Sequence, residues 1–270
     1  MALPLIGYQT ILDNATAVIT ATSTAAGSSL AHLYDYKSYT LWTSGVTTTP
    51  QDIDIDLGAS PAAADYIAII NSTLPNEGHS IALFADSFTP PTTAIFSGVV
   101  TDRQVWYRTF TSPGSLRYWR LRLSSSGGFD VAPALGQVMI GLKTELPYYL
   151  APSFEPYFDD VEMRGERSEG GHYLGGLARG HTHRGVITFG AGGYVRSAAT
   201  ALHTFIDDHA ILRKPFIFIV DSDESPDDIG SARYIKVTDS GRISRTAVGD
   251  TWLSLNLAMD VEEAFMEPAT

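Results

Sequence analysis

The sequence predicts a mainly β chain. It divides into an N-terminal β-sandwich jelly roll over residues 1–146 and an α+β domain, a small sheet or barrel with one helix, over 157–270. Three observations carry this. Short apolar–polar alternations, punctuated by Gly, Pro and Ser, recur through the first half. Three prolines and several aromatics crowd the segment Leu146–Pro156. Only one stretch of the second half spaces its apolar residues as a helix does.

In chain order, the first clear strand is Gln51–Gly58, where apolar and polar residues trade places at every step, as on a strand with one wet face. Tyr66–Ile70 and Ser80–Phe84 follow, separated by the turn-like run Asn71–Gly78. Strands are also predicted at Gln104–Phe110, Tyr118–Leu123 and Gln137–Leu142, joined by Thr-Pro-Pro, Ser-Pro-Gly and Ser-Ser-Ser-Gly-Gly turns. Strands this short at this spacing build sandwiches and jelly rolls. Proline removes amide donors and fixes φ, so residues 147–156 read as an extended linker between domains.

In the second half a Gly-rich stretch, Glu169–Gly180, precedes an alternating strand, His181–Phe189. From Ser197, a candidate N-cap, to His209, the residues Ala198, Ala201, Leu202, Phe205, Ile206 and His209 or Ala210 form one apolar stripe at helical spacing. Pro215–Val220 is too continuously apolar for an edge strand, and Arg233–Val237 and Trp252–Leu257 read as further strands.

Composition limits the function classes. The chain has 270 residues, 44% of them hydrophobic and 11% aromatic, enough to build a core and so to exclude intrinsic disorder. With no cysteine, disulfide scaffolds, thiolate metal sites and thiol nucleophiles are all excluded. The net charge of −12 is shared by both halves and disfavours a nucleic-acid partner. The opening MALPLIGYQT lacks a basic region and a long apolar run, so no secretory signal is expected, and no apolar run approaches the 18 residues that would predict a membrane span.

Chemistry-bearing motifs are few. Gly190–Gly193 is followed by Tyr194 and Val195 rather than the Lys and Ser or Thr of a phosphate loop, and reads as a turn. The acidic run Asp221–Asp228 places Pro226 and Ala232 where a calcium loop needs Gly and Glu, and reads as a solvated turn. His172, His181, His183, His203 and His209 form an inventory for a metal. His181 and His183 would share one strand face, but they read as surface histidines of a Gly-rich hairpin, so no metal or cofactor is expected. There is no Gly-X-Ser-X-Gly, and the adjacent carboxylates Asp159–Asp160 and Glu262–Glu263 face opposite ways on a strand, so no catalytic residue is assigned and an enzyme is not expected.

Several motifs in order across residues 1–146 resemble the discoidin, or coagulation-factor C-type, galactose-binding-like jelly roll. They are Asp35-Tyr36-Lys37-Ser38-Tyr39-Thr40-Leu41-Trp42, Asp52–Gly58, Tyr66–Ile70, Arg117–Leu123 and Gln137–Gly141. The resemblance implies aromatic glycan contacts, for which Tyr34, Tyr36 and Tyr39 are candidates, with Trp42 read as core. It also implies a structural calcium on Asp35, Thr40 and Gln137. The family has Gly where Tyr36 stands and Glu where Gln137 stands, so bound calcium is not expected.

The second half resembles the distal tail and tail-tip proteins of long-tailed bacteriophages. The features are the Gly-rich stretch, the Ala198–Ile211 helix, Lys214–Phe218, the acidic turn, Arg233–Val237 and Thr251–Leu257. That resemblance implies a structural virion protein of the phage tail, assembled in the bacterial host cytoplasm. It would form a ring oligomer with itself and contact other tail and baseplate proteins. Arg233, Lys236, Arg242 and Arg245, facing the acidic turn of a neighbour, are the expected subunit seam. The alternative is a carbohydrate-binding protein whose jelly roll meets a host surface glycan, and a glycan-cleaving enzyme ranks third.

Overall fold

In the computed structural model, the alternating run becomes strand β4 (Gln51–Asp56), whose residues are buried and half-buried in strict turn. Its inward Ile53 and Ile55 belong to one apolar core with Leu57, Ile81, Leu83, Trp119, Leu121 and Leu123. Each such side chain, fully withdrawn from water, contributes about 1.5–3 kcal/mol. The structure describes residues 4–75, 78–145, 158–167, 173–189, 193–195, 204–219, 232–239, 243–248, 252–263 and 267–268, with side chains for 4–75, 78–145, 204–219 and 232–238. The linker 147–156, the acidic run 221–228 and the residues His172, His203 and Arg242 lie outside them.

The chain divides into two compact units, Met1–Glu145 with Ile217–Arg233, and Leu146–Phe216 with Tyr234–Thr270. In the first unit the strands are β1 (Leu5–Gly7), β2 (Val18–Ala21), β3 (Trp42–Thr43), β4, β5 (Tyr66–Ser72), β6 (His79–Asp86), β7 (Ala94–Val99), β8 (Val105–Thr109), β9 (Tyr118–Ser125), β10 (Ala134–Gly141) and β11 (Lys143–Glu145). They form a five-stranded sheet, β2-β4-β9-β6-β7, and a four-stranded sheet, β3-β10-β5-β8, with antiparallel pairing throughout. Two antiparallel sheets enclosing one core make a jelly-roll sandwich.

The two sheets differ in their outer faces. In the five-stranded sheet the outer positions of β4 and β9 carry Asp and Arg, which explains the alternation. In the four-stranded sheet both faces of β5 and all of β10 are buried except Asn71, so Tyr66–Ile70 reads as an unbroken apolar run. Close approach holds part of that outer face: a Cβ at Gly7 would meet the Tyr66 ring at 2.9 Å, and Tyr66 donates its hydroxyl hydrogen to the Gln9 carbonyl.

β1 is three residues long and has a partner on each edge. Leu5 faces Glu145 of β11 on one side and Ile219 of β15 (Phe216–Ile219) on the other. A lone short strand has N–H and C=O groups to satisfy on both sides. Its pairing brings Ile217–Ile219, which a linear reading places in the second domain, into the first unit.

The second unit comprises β12 (Phe158–Arg167), β13 (Tyr173–Phe189), β14 (Gly193–Val195), β16 (Ala232–Asp239) from Tyr234 onward, β17 (Ile243–Val248), β18 (Trp252–Glu263) and β19 (Glu267–Pro268). β18 is the hub, pairing antiparallel with β13, β14, β16 and β17. The predicted helix is described from residue 204, and over Ile206–Ala210 it is a π-type turn, with Ile211 N–H donating to the Ile206 carbonyl at 3.0 Å. Arg213 closes it with a left-handed φ of 54°. His209 is buried with its ring against Phe205 and Phe216 and its Nε2 2.8 Å from the Pro215 carbonyl, a core histidine rather than a ligand. Among the described residues no helix is long and apolar enough to cross a membrane.

Candidate ligand-binding site

The loop that carries the tyrosine candidates is built from its own polar groups. Ser29 caps a short 3-10 turn, Leu30–Leu33, that delivers the chain to Asp35. The Asp35 carboxylate accepts the Lys37 N–H at 2.9 Å and the Thr40 hydroxyl at 2.8 Å, which folds residues 35–40 back on themselves. Tyr36, at the position where the resembling family has glycine, takes a left-handed φ of 60°, which favours glycine. A non-glycine residue pays on the order of 1 kcal/mol there. Two bonds offset it: Tyr36 N–H donates to Gln137 Oε1 at 2.8 Å, and its hydroxyl donates to Asp13 Oδ2 at 3.1 Å. Burial, then the Asp13 charge and hydrogen bond, pushes the Tyr36 phenol well above the usual tyrosine range, so it stays neutral.

Two further loops are fastened to this one at Asn71. The Asn71 side-chain amide donates to the Ser38 carbonyl at 2.7 Å, and its backbone N–H donates to the Gln104 carbonyl at 2.8 Å. Ser72 N–H donates to the Arg103 carbonyl at 2.9 Å, and Asp102 Oδ1 accepts Gln104 N–H at 2.7 Å. The segments 38–40, 71–72 and 102–104 are therefore one hydrogen-bonded cluster. Lys37, Tyr39, Arg103 and Gln104 are exposed on it. Tyr39 is 77% exposed, the highest value for a large apolar side chain among the described residues.

The three tyrosines named from the sequence occupy three different environments. Tyr34 is half-buried and packs on the sandwich core. Tyr36 has its hydroxyl committed to Asp13, and Tyr39 alone is fully presented. Trp42 is fully buried, with its indole N–H donating to Thr24 Oγ1 at 3.1 Å. Asn71, Arg103 and Gln104 were not singled out by sequence; Asn71–Gly78 reads only as a turn, and a bond to a residue 33 positions away leaves no local signal. Of the seam residues, Arg233 and Lys236 are half-buried on β16 and Arg245 lies on β17 opposite Leu255.

Asp35, Thr40 and Gln137 are brought together as the family resemblance implies, but their chemistry does not fit a calcium ion. A calcium site gathers six to eight oxygens with several anionic ones. Asp35 is the one carboxylate of this trio, and the Thr40 hydroxyl donates to it. Gln137 Oε1 is engaged by the Tyr36 N–H, and its Nε2, buried without a hydrogen-bond partner, is a donor that repels a cation.

No family model matches the chain, and no curated protein matches it. Solved structures similar to about half of the chain include carbohydrate-binding modules, among them modules of the CBM32, discoidin-like jelly-roll type. Chitosan-binding module 1 of a chitosanase/glucanase from Paenibacillus sp. IK-5 is 22% identical with a TM-score of 0.39, over 49% of this chain and 98% of that one. CpGH89CBM32-5 from Clostridium perfringens, solved with GalNAc-β-1,3-galactose, is 17% identical with a TM-score of 0.40, over 48% and 98%. Likenesses of that degree leave the assignment of function to the chain's own residues. Nothing in these comparisons points to a tail-tip protein.

Proposed function

We propose that the first unit is a non-catalytic carbohydrate-binding module and that the Asn71-centred loop cluster is its contact surface. One observation carries this reading. Tyr39 presents its ring to solvent from a loop held by the Asp35–Thr40 and Asn71–Ser38 hydrogen bonds. Sugars have apolar C–H faces edged by hydroxyls, so an exposed ring on a loop cluster that also exposes Lys37, Arg103 and Gln104 offers both kinds of contact. Fixing the loop in advance lowers the ordering cost of binding. A glycan array probed with the full chain tests it. Binding to a related set of glycans is expected, and a flat array would overturn the reading.

A second reading concerns the second unit, which would assemble as a ring in a bacteriophage tail. The 17-residue strand β13 supports it, because a strand that long exceeds what a small core requires and leaves backbone for a neighbouring subunit. In that setting the first unit would meet a glycan on the host surface. Native mass spectrometry of the purified chain checks it: one closed ring order is expected, and a persistent monomer excludes it.

A further inference from the structure

The stretch Met1–Glu145 carries seven Lys and Arg side chains, and five of them are committed within the sandwich. Arg117, Arg120 and Arg122 grip Asp56, Asp54 and Asp52 on β4. Lys143 reaches Glu145 at 3.1 Å. Arg108 donates to the Tyr107 carbonyl at 2.8 Å, with its guanidinium over the Trp106 ring. The other two, Lys37 and Arg103, are exposed, and among the described residues neither has an ion-pair partner. Both stand on the Asn71-centred cluster that presents Tyr39.

Backbone bonds put them there. Lys37 precedes Ser38, whose carbonyl accepts the Asn71 side-chain amide at 2.7 Å. Arg103 offers its own carbonyl to the N–H of Ser72, the residue after Asn71, at 2.9 Å. The carboxylates beside them in sequence are turned to other donors. Asp35 accepts the Lys37 N–H and the Thr40 hydroxyl, and Asp102 accepts the Gln104 N–H. Both are half-buried, so a ligand arriving from solvent meets the ammonium and the guanidinium first. The chain's net charge of −12 does not undo this, because salt screens charges more than about 10 Å away while the two cations act at contact.

We infer that the cluster takes an acidic glycan, one whose sugar rings carry carboxylate or sulfate groups. The inference rests on the carbohydrate-binding reading and names the ligand class of that same site. Tyr39 stacks on a C–H face of a sugar ring. The Arg103 guanidinium presents parallel N–H groups that match a carboxylate or sulfate edge, and Lys37 adds a compact point charge. A neutral sugar uses the ring but leaves both cations without a counter-charge.

The test places the full chain on an array of neutral glycans that also carries three matched pairs. These are trigalacturonic acid with its methyl ester, sialyllactose with lactose, and a heparin hexasaccharide with its desulfated form. In at least one pair the acidic member should bind about tenfold tighter than the neutral one, an advantage that disappears in molar salt. Which pair shows it separates carboxylate from sulfate. In calorimetry on that pair, Lys37→Gln and Arg103→Gln should each weaken the acidic member roughly threefold and leave the neutral member unchanged. Lys143→Gln removes the same charge near Asp65, at the opposite end of β5 from Asn71, and should alter neither. Binding to neutral glycans with no acidic preference overturns this inference and leaves the carbohydrate-binding reading in place. A flat array overturns both. An acidic preference that survives the Lys37→Gln, Arg103→Gln double variant also overturns the inference, because the charge would then be read elsewhere.

Discussion

The backbone N–H of Tyr36 donates to the side-chain Oε1 of Gln137, 101 residues further along the chain, at 2.8 Å. That bond ties the tyrosine loop to the centre of β10, where Gln137 is fully buried. It uses an amide where the resembling family places a carboxylate, so the loop is closed by protein groups alone.

Gln137→Glu should change this. The new carboxylate would stand beside Asp35 and restore a second anionic oxygen, destabilising the metal-free protein through burial of charge. Calcium should then rescue it, adding about 2.7 kcal/mol at a hundred times its dissociation constant. The parent chain should melt at the same temperature in chelator and in millimolar calcium. Thermal denaturation of both proteins checks this, and a calcium-dependent melting temperature in the parent would refute it.

What the sequence disclosed follows from which interactions are local. β4 and β9 were legible because each buries one face, but their pairing, which sets Asp52 opposite Arg122 and Asp54 opposite Arg120, left no local signal. β5 and β10 were legible as apolar runs because both their faces are covered. β1, β3 and β11 have two or three residues each, too few to show a period, and exist only through distant partners. β2 and β7 lie at the edges of their sheet, where half-exposed residues blur the pattern. The same holds at the candidate site. Tyr39 could be named from its type and neighbours, but the bonds from Asn71 to Ser38 and Gln104 depend on the finished fold.

The pairs between β4 and β9 should not be equal. Arg122 holds Asp52 through two bonds of 2.7 and 2.8 Å, Arg120 Nη1 adds a contact at 3.5 Å, and the Asp52 side chain is only 15% exposed. Arg117 holds Asp56 with comparable geometry, but both side chains are about one-third or more exposed. Water and salt screen exposed pairs far more than sheltered ones. A double-mutant cycle on Asp52 and Arg122 should give a coupling of about 1 kcal/mol that persists in molar salt. The Asp56–Arg117 coupling should be smaller and should vanish there. Equal couplings at high salt would contradict this account.

Acid should weaken the first unit through Asp56 and Asp86. The hydrogen bonds from Arg117, then the Gly58 N–H, hold the Asp56 carboxyl below the usual range. At Asp86 burial works the other way, but bonds from Thr93 and Thr92 outweigh it and the result is again a lowered value. A carboxyl that is more acidic folded than unfolded stabilises the fold fully above the unfolded value near ~4, and loses that contribution as pH falls through the folded value. The urea midpoint should therefore fall as pH drops from 5 to 2. Asp56→Asn should lower the midpoint at neutral pH and flatten the acid limb, and an unchanged limb in this variant would remove Asp56 from the explanation.

Gly141 is required by space. A Cβ there would collide with the carbonyl oxygen of Gln9, and backbone cannot rotate aside as a side chain can. Gly141→Ala should cost about 1–3 kcal/mol, enough to read as a lowered urea midpoint with an unchanged slope. Gly127, where a Cβ meets nothing within 4 Å, should accept alanine at little cost and serves as the control.

Tyr39 and Tyr34 should separate binding from stability. Tyr39 lies outside the core and is 77% exposed, so Tyr39→Ala removes a contact surface while leaving packing unchanged. Its melting temperature should match the parent, and its affinity for any glycan bound on the array should drop roughly tenfold, as the loss of one aromatic stacking contact of about 1.5 kcal/mol requires. Tyr34 packs on the sandwich core, so Tyr34→Ala should cost about 1–3 kcal/mol of stability. At temperatures where that variant remains folded its glycan affinity should be close to the parent's. The opposite assignment, with binding lost at Tyr34 and stability at Tyr39, would move the contact surface away from the Asn71 cluster.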